Sequence, residues 1–207
     1  MDDNVETQPD FFKGEVSTSA AKTNKGKFVV SPFVRLSRVH ALSAAGDAMI
    51  TVALAGSLFF SIDPSAARWR VGLYLALTIA PFAVVSPLIG PFIDRYAGGR
   101  RLMILAINIL RVVTAALMVS NLDSLFLFPL AFTMLVLQKS YAIAKAAVVP
   151  TTVETHDELV GKNARLAFLS GIAGFSGAAP AALAQLIGGP SWSVILAAIT
   201  FAFAGLA

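Results

Sequence analysis

Leu88 to Arg101, LIGPFIDRYAGGRR, joins two long apolar runs through a turn with four charged side chains and three glycines. Before it lies VGLYLALTIAPFAVVSP and after it LMILAINILRVVTAALMV, both dominated by Leu, Ile, Val, Ala and Phe. Charge packed so tightly between such flanks reads as a wet turn between segments that otherwise avoid water. Working outward, apolar runs recur at about 39–62, 72–93, 102–119, 124–148, 165–188 and 192–207. A helix crossing the hydrocarbon core needs roughly 20 apolar residues. The reading is therefore an all-α membrane protein with six transmembrane helices. A β-barrel would need strands of about ten residues alternating in polarity, and the runs do not alternate.

Composition agrees. Of 207 residues 57% are hydrophobic and 14% charged, and mean hydropathy is +0.75. Soluble domains carry about a quarter charged residues, and so apolar a surface would not stay dispersed in water. Lipid is the expected partner and solvent. No cysteine is present, which excludes disulfides and thiolate metal sites.

Residues 1–38 differ from the rest. They are polar, mixed in charge and lack a sustained apolar period, and read as a loosely ordered N-terminal cytoplasmic tail. Acidic residues at the start and the missing apolar core exclude a secretory signal peptide. Residues 39–207 form the expected six-helix domain. Its last run supplies 16 residues, about 24 Å of helix against a core of roughly 30 Å, and reads as a helix cut short.

Lys and Arg set the orientation. With the tail inside, the cytoplasmic side holds Lys13, Lys22, Lys25, Lys27, Arg35, Arg38, Arg95, Arg100, Arg101, Lys162 and Arg165, against Arg68 and Arg70 outside. The expected place is the cell (plasma or inner) membrane, multi-pass, with the N-terminus cytoplasmic. The same bias accounts for the net charge of +4 without nucleic acid as a partner.

Two loops carry a family resemblance. Gly90, Asp94, Arg95, Gly98, Gly99, Arg100 and Arg101 resemble the Gly-x-x-x-Asp-Arg…Gly-Arg-Arg signature of the major facilitator superfamily of transporters, with four residues between Arg95 and Arg100, more than in the commonest form. Val148 to Leu166, VVPTTVETHDELVGKNARL, is similar to the loop joining helices four and five in exporters of that superfamily. Pro150, Glu158, Leu159, Val160, Asn163 and Ala164 stand at the matching positions. The resemblance covers residues 39–207. It implies one half of a twelve-helix bundle, the other half being a missing C-terminal six-helix half or a second copy. It also implies that Gly90, Asp94, Arg95, Gly99, Arg100 and Arg101 form a cytoplasmic latch used in gating. The same arginines serve as topology signals, and the two roles are compatible.

Asp47, Arg111 and Lys139 fall inside predicted helices, near mid-membrane. An ionisable group at that depth faces a partner or water and is by default functional. Asp47 pairs with one of the cations or lines a cavity and exchanges a proton. In the family, helices one and four line the cavity, which favours Asp47 and Lys139 there and leaves Arg111, with Asn108 one turn back, as an internal salt-bridge group. Gln138, Tyr141 and Lys145 share one face of their helix at i, i+3 and i+7. Lys145 reads as snorkelling to the membrane edge, and His40 and His156 as plain interfacial residues without the company of a metal site. The fifth run is rich in small residues around Pro180, a weak likeness to the Gly-Pro motif of superfamily exporters. No catalytic triad or phosphate loop is present, so no enzyme, cofactor or metal is expected. The expected function is proton-coupled efflux of a small-molecule substrate by an antiporter working through alternating access. The alternative is a non-transporting membrane scaffold or partner-binding module.

Overall fold

The structure is a computed structural model that describes residues 31–59, 72, 79, 99–124, 126–152 and 156–207. Five α-helices account for nearly all of them, and no strand occurs among the described residues. They are α1 (Pro32–Leu54, continued by a π-helical turn Ala55–Phe59), α2 (Arg100–Val119), α3 (Leu127–Val148, followed by a 3-10 turn Val149–Thr152), α4 (His156–Gly188) and α5 (Pro190–Leu206). Of the expected second run only Gly72 and Ile79 are described.

Helix ends follow local chemistry. α1 begins at Pro32 rather than about residue 39, because the Ser31 side chain accepts the Val34 amide and Pro32 fits the first turn. α4 begins at His156 rather than about 165. Its polar opening turns are helical, with Asp157 and Glu158 where the helix dipole favours acid. α2 does the opposite and opens on Arg100 and Arg101 after Gly99, against its dipole. Gly189, at φ 78°, makes the reversal from α4 into α5, a conformation that favours glycine, and Pro190 starts the next helix.

Direction can be read from contacts. Arg35 Nε donates to the Ala207 carbonyl at 2.8 Å while Thr200 Oγ1 meets Met49 Sδ at 3.5 Å, so α1 and α5 are antiparallel. Gly177 lies against Ala45 and Gly56 against Gln185, so α1 and α4 are parallel. Gly205 faces Leu105 and Asn108 while Arg111 meets Phe201, so α2 and α5 are antiparallel. Thus α1, α2 and α4 start at one end, called here the near end, and α3 and α5 finish there. α5 sits between α1 and α2, α3 packs on α2, and α4 covers the outer side of α1.

The interior is layered along this axis. At the near end Leu36, Val149 and Leu166 pack together. Next come Val39, Ile107, Leu137, Tyr141 and Ala144. The far half is the largest core and includes Met49, Ala115, Met118, Leu130, Met134, Val194 and Phe201. Close approach is what builds it. A Cβ on Gly177 would lie 2.6 Å from the Ala45 carbonyl oxygen, so a side chain there would push α4 off α1.

The outside is as apolar as the inside. Leu102, Ile109, Leu110, Val113 and Leu117 stripe the outer face of α2, and Phe168, Ile172, Phe175, Leu183, Leu186 and Ile187 cover α4, all exposed. Four helical segments, Pro32–Ser57, Arg101–Val119, Leu127–Thr152 and Asp157–Gly188, are long and apolar enough to cross a membrane, and Pro190–Leu206 is a shorter apolar helix. The chain is all-helical among its described residues and has the outer surface of a membrane-associated protein.

Candidate functional site

Between the second layer and the far core, three helices bring polar side chains together. Asp47 is on α1 and Arg111 on α2. The two form an ion pair, Arg111 Nη2 standing 3.4 Å from one Asp47 carboxylate oxygen and 3.5 Å from the other. Both lie well inside their apolar segments. The Arg111 side chain is wholly enclosed, whereas 16% of the Asp47 side chain stays accessible. Of the two, only the Asp47 side chain keeps any accessible surface.

The guanidinium is gripped by rings. Its Cζ lies 5.1 Å from the Tyr141 ring centre on α3 and 5.0 Å from that of Phe201 on α5, within cation–π range on both. Its Nε and Nη1 have no hydrogen-bond acceptor among the described residues, so the aromatic faces replace acceptors there. A charge buried this far needs such compensation, since an unpaired one would cost several kcal/mol. Gly46 permits the arrangement. A Cβ at that position would fall 2.6 Å from Phe201 Cε1 and push the ring off Arg111.

α3 completes the surroundings. Gln138 and Lys139 lie close enough to the Asp47 carboxylate to favour its charge. One turn on, Tyr141 is buried in the second layer. Its hydroxyl stands 3.5 Å from His40 Nδ1, with the two rings stacked at 6.0 Å. Lys145 Nζ lies 3.4 Å from His40 Nε2. The face formed by Gln138, Tyr141 and Lys145 therefore meets a matching face of α1, His40, Ser43 and Asp47, which has the same i, i+3, i+7 spacing.

The structure brings Asp47, Arg111, Gln138 and Tyr141 into one cluster, with Lys139 at its edge. Arg111 is the partner of Asp47. Asn108 turns its amide to the Ile104 carbonyl of its own helix. Two expectations need correction. His40 is buried inside the bundle, and the Lys145 ammonium points to it rather than only outward. The signal that finds His40 is its heptad spacing from Asp47.

Gly90, Asp94 and Arg95 lie outside the described residues. Gly99 precedes α2, and Arg101 is exposed in its first turn. Arg101 helps to line a cavity of about 430 Å³ at the near end, together with Arg35, Leu36, Val39, Ile104 and Thr151. The resembling loop after α3 is short: Thr152 accepts Lys162 Nζ, and Lys162 sits 3.5 Å from Glu158 and over the Phe33 ring. No group of His, Asp and Glu able to hold a metal occurs among the described residues.

The chain is similar to proteins of mycobacteria. An uncharacterized protein of Mycobacterium leprae is 38% identical over 169 residues, covering 75% of this chain and 29% of the relative. Uncharacterized proteins from two strains of Mycobacterium tuberculosis, CDC 1551 / Oshkosh and H37Rv, are each 40% identical over 129 residues, 59% of this chain and 23% of theirs. The chain thus spans less than a third of the length of the curated relatives it matches. No family model matches it, and no solved structure matches it.

Proposed function

We propose that the protein is a secondary active transporter of the major-facilitator type that exports a small amphipathic or hydrophobic molecule in exchange for protons, with Asp47 as the proton-binding group. The observation that carries the reading is the Asp47–Arg111 pair, with an enclosed cation and an accessible carboxylate. When Asp47 takes a proton, its attraction for Arg111 is lost and the α1–α2 contact weakens. A transporter needs such a link between protonation and helix packing. The helix directions agree with a multi-pass bundle, the Lys and Arg bias favours a cytoplasmic N-terminus, and the length of the relatives leaves room for a second bundle, with substrate held near the midplane between halves.

The test is transport by the full-length protein in everted vesicles, with ethidium as a lipophilic cationic probe and an imposed pH gradient. The expected result is gradient-driven uptake that Asp47→Asn lowers at least tenfold while downhill exchange persists. Gradient-driven uptake equal in both proteins would remove Asp47 from coupling. A pair that only fastens helices together, as in a scaffold, would lose stability on mutation with no gradient-driven flux in either protein.

A further inference from the structure

The apolar layer of Val39, Ile107, Leu137, Tyr141 and Ala144 separates the near-end cavity from the Asp47–Arg111 pair. Polar groups do cross it, along the seam between α1 and α3. Lys145, His40, Tyr141 and Ser43 follow one another there. Their chemistry gives that line a direction. A lysine ammonium only donates, so His40 Nε2, 3.4 Å from Lys145 Nζ, is the acceptor. A neutral imidazole carries its one proton on the other nitrogen, so Nδ1 donates to Tyr141 Oη at 3.5 Å. The Tyr141 hydroxyl proton is then free to turn to Ser43, its neighbour on α1. Ser43 Oγ is fully buried and has no hydrogen-bond partner among the described residues, which leaves it open to accept from Tyr141. Asp47 follows four residues later, about 6 Å along the axis.

We infer that His40, oriented by Lys145 and coupled to Tyr141 and Ser43, is a proton relay that loads Asp47 from the near end of the bundle. The inference rests on the reading of Asp47 as the proton-binding group. In each passage Lys145 hands a proton to Nε2, Nδ1 hands its proton to Tyr141 Oη, Tyr141 hands its own to Ser43, and Ser43 passes one to Asp47 across a bridging water. Solvent restores the proton on Lys145, and exchange through water returns the imidazole from its Nε2–H to its Nδ1–H tautomer before the next passage. One proton enters, one ends on the carboxylate, and only N–H and O–H bonds are exchanged. Lys145 is half-buried near the end of α3 and lies where solvent can reach it.

Among the described residues, Arg35 and Arg38 on α1 and Arg100 and Arg101 on α2 stand nearer the near end than His40. α2 brings Arg111, which holds Asp47, and α3 adds Lys139. α5 has no titratable side chain, and those of α4 lie between His156 and Arg165 in its first turns. The sequence has only two histidines, so the key group can be observed alone.

Two measurements on the full-length protein in bilayers test the relay without a substrate. Nitrogen NMR of the imidazole in a His156→Gln background should show His40 neutral and protonated at Nδ1 at neutral pH. Protonation at Nε2 overturns the proposal. Infrared spectroscopy of the Asp47 carboxyl should then follow proton arrival after a pH jump confined to the near-end side of sealed vesicles. His40→Gln and Tyr141→Phe should each slow that arrival about tenfold or more, with the midpoint of thermal unfolding retained in the phenylalanine variant. Arrival at the unaltered rate in Tyr141→Phe, or an Asp47 that takes no proton in the parent, overturns it. Slowed protonation of Asp47 in a protein that shows no gradient-driven uptake would leave the relay standing and remove the transport reading instead.

Discussion

Two contacts between ionisable groups in the interior of the bundle differ in kind. At mid-span Asp47 and Arg111 are opposite charges, with the cation clamped between Tyr141 and Phe201. Nearer the end where α1 begins, His40 and Lys145 are two bases 3.4 Å apart, with no acidic partner described for either. The first contact is strongest with both members charged. The second is favourable only while His40 is neutral, because an imidazolium there would face an ammonium. Protonation would weaken both, the first by removing the charge on Asp47 and the second by adding one to His40. Tyr141 touches both contacts, through its ring face on Arg111 and its hydroxyl near His40.

Breaking the first contact should have the largest effect. Arg111→Met leaves Asp47 unpaired at mid-span and should cost about 3–5 kcal/mol of stability, read from reversible unfolding in mixed micelles. Gly46→Ala acts on the same contact indirectly by pushing Phe201 away from the guanidinium. About 1–3 kcal/mol is expected from overpacking, with a compensating gain if Phe201 is shortened to Leu. On the second contact, Lys145→Met removes the hydrogen bond to His40 Nε2 and should cost about 1 kcal/mol at neutral pH. The comparison is sharpened by acid: the parent should lose stability relative to Lys145→Met under conditions that charge His40. The smallest effect belongs to a pair outside both contacts. Glu158→Gln at the start of α4 should change stability by less than about 0.5 kcal/mol, since that pair is exposed to water.

The apolar runs were legible because lipid demands length and hydropathy of a helix, and both are properties of consecutive residues. Boundaries were less so. The first helix is set by Ser31 and Pro32, a cap-and-start signal outside the apolar run, and the fourth by polar turns after Thr152 that composition alone reads as loop. Asp47, Arg111 and Lys139 stood out because a charge in an apolar run needs a reason. Gln138 and Tyr141 followed from helical spacing. Which cation pairs with Asp47 was not legible, because it depends on how α1 and α2 are rotated about their axes. Nor was the stacking of Arg111 on Phe201, which joins residues far apart in the chain. His40 shares the spacing of Ser43 and Asp47, but its place at the start of an apolar run gave no sign that a facing lysine would reach it.

The central claim is that Asp47 and Arg111 form one energetic unit inside the bundle. A double-mutant cycle measures it most directly: Asp47→Asn, Arg111→Gln and both together, unfolded reversibly in mixed micelles at neutral pH. The account predicts a coupling of about 1–3 kcal/mol, the double variant being more stable than the sum of the single losses allows. Losses that add to within about 0.5 kcal/mol would show two independent side chains and contradict it.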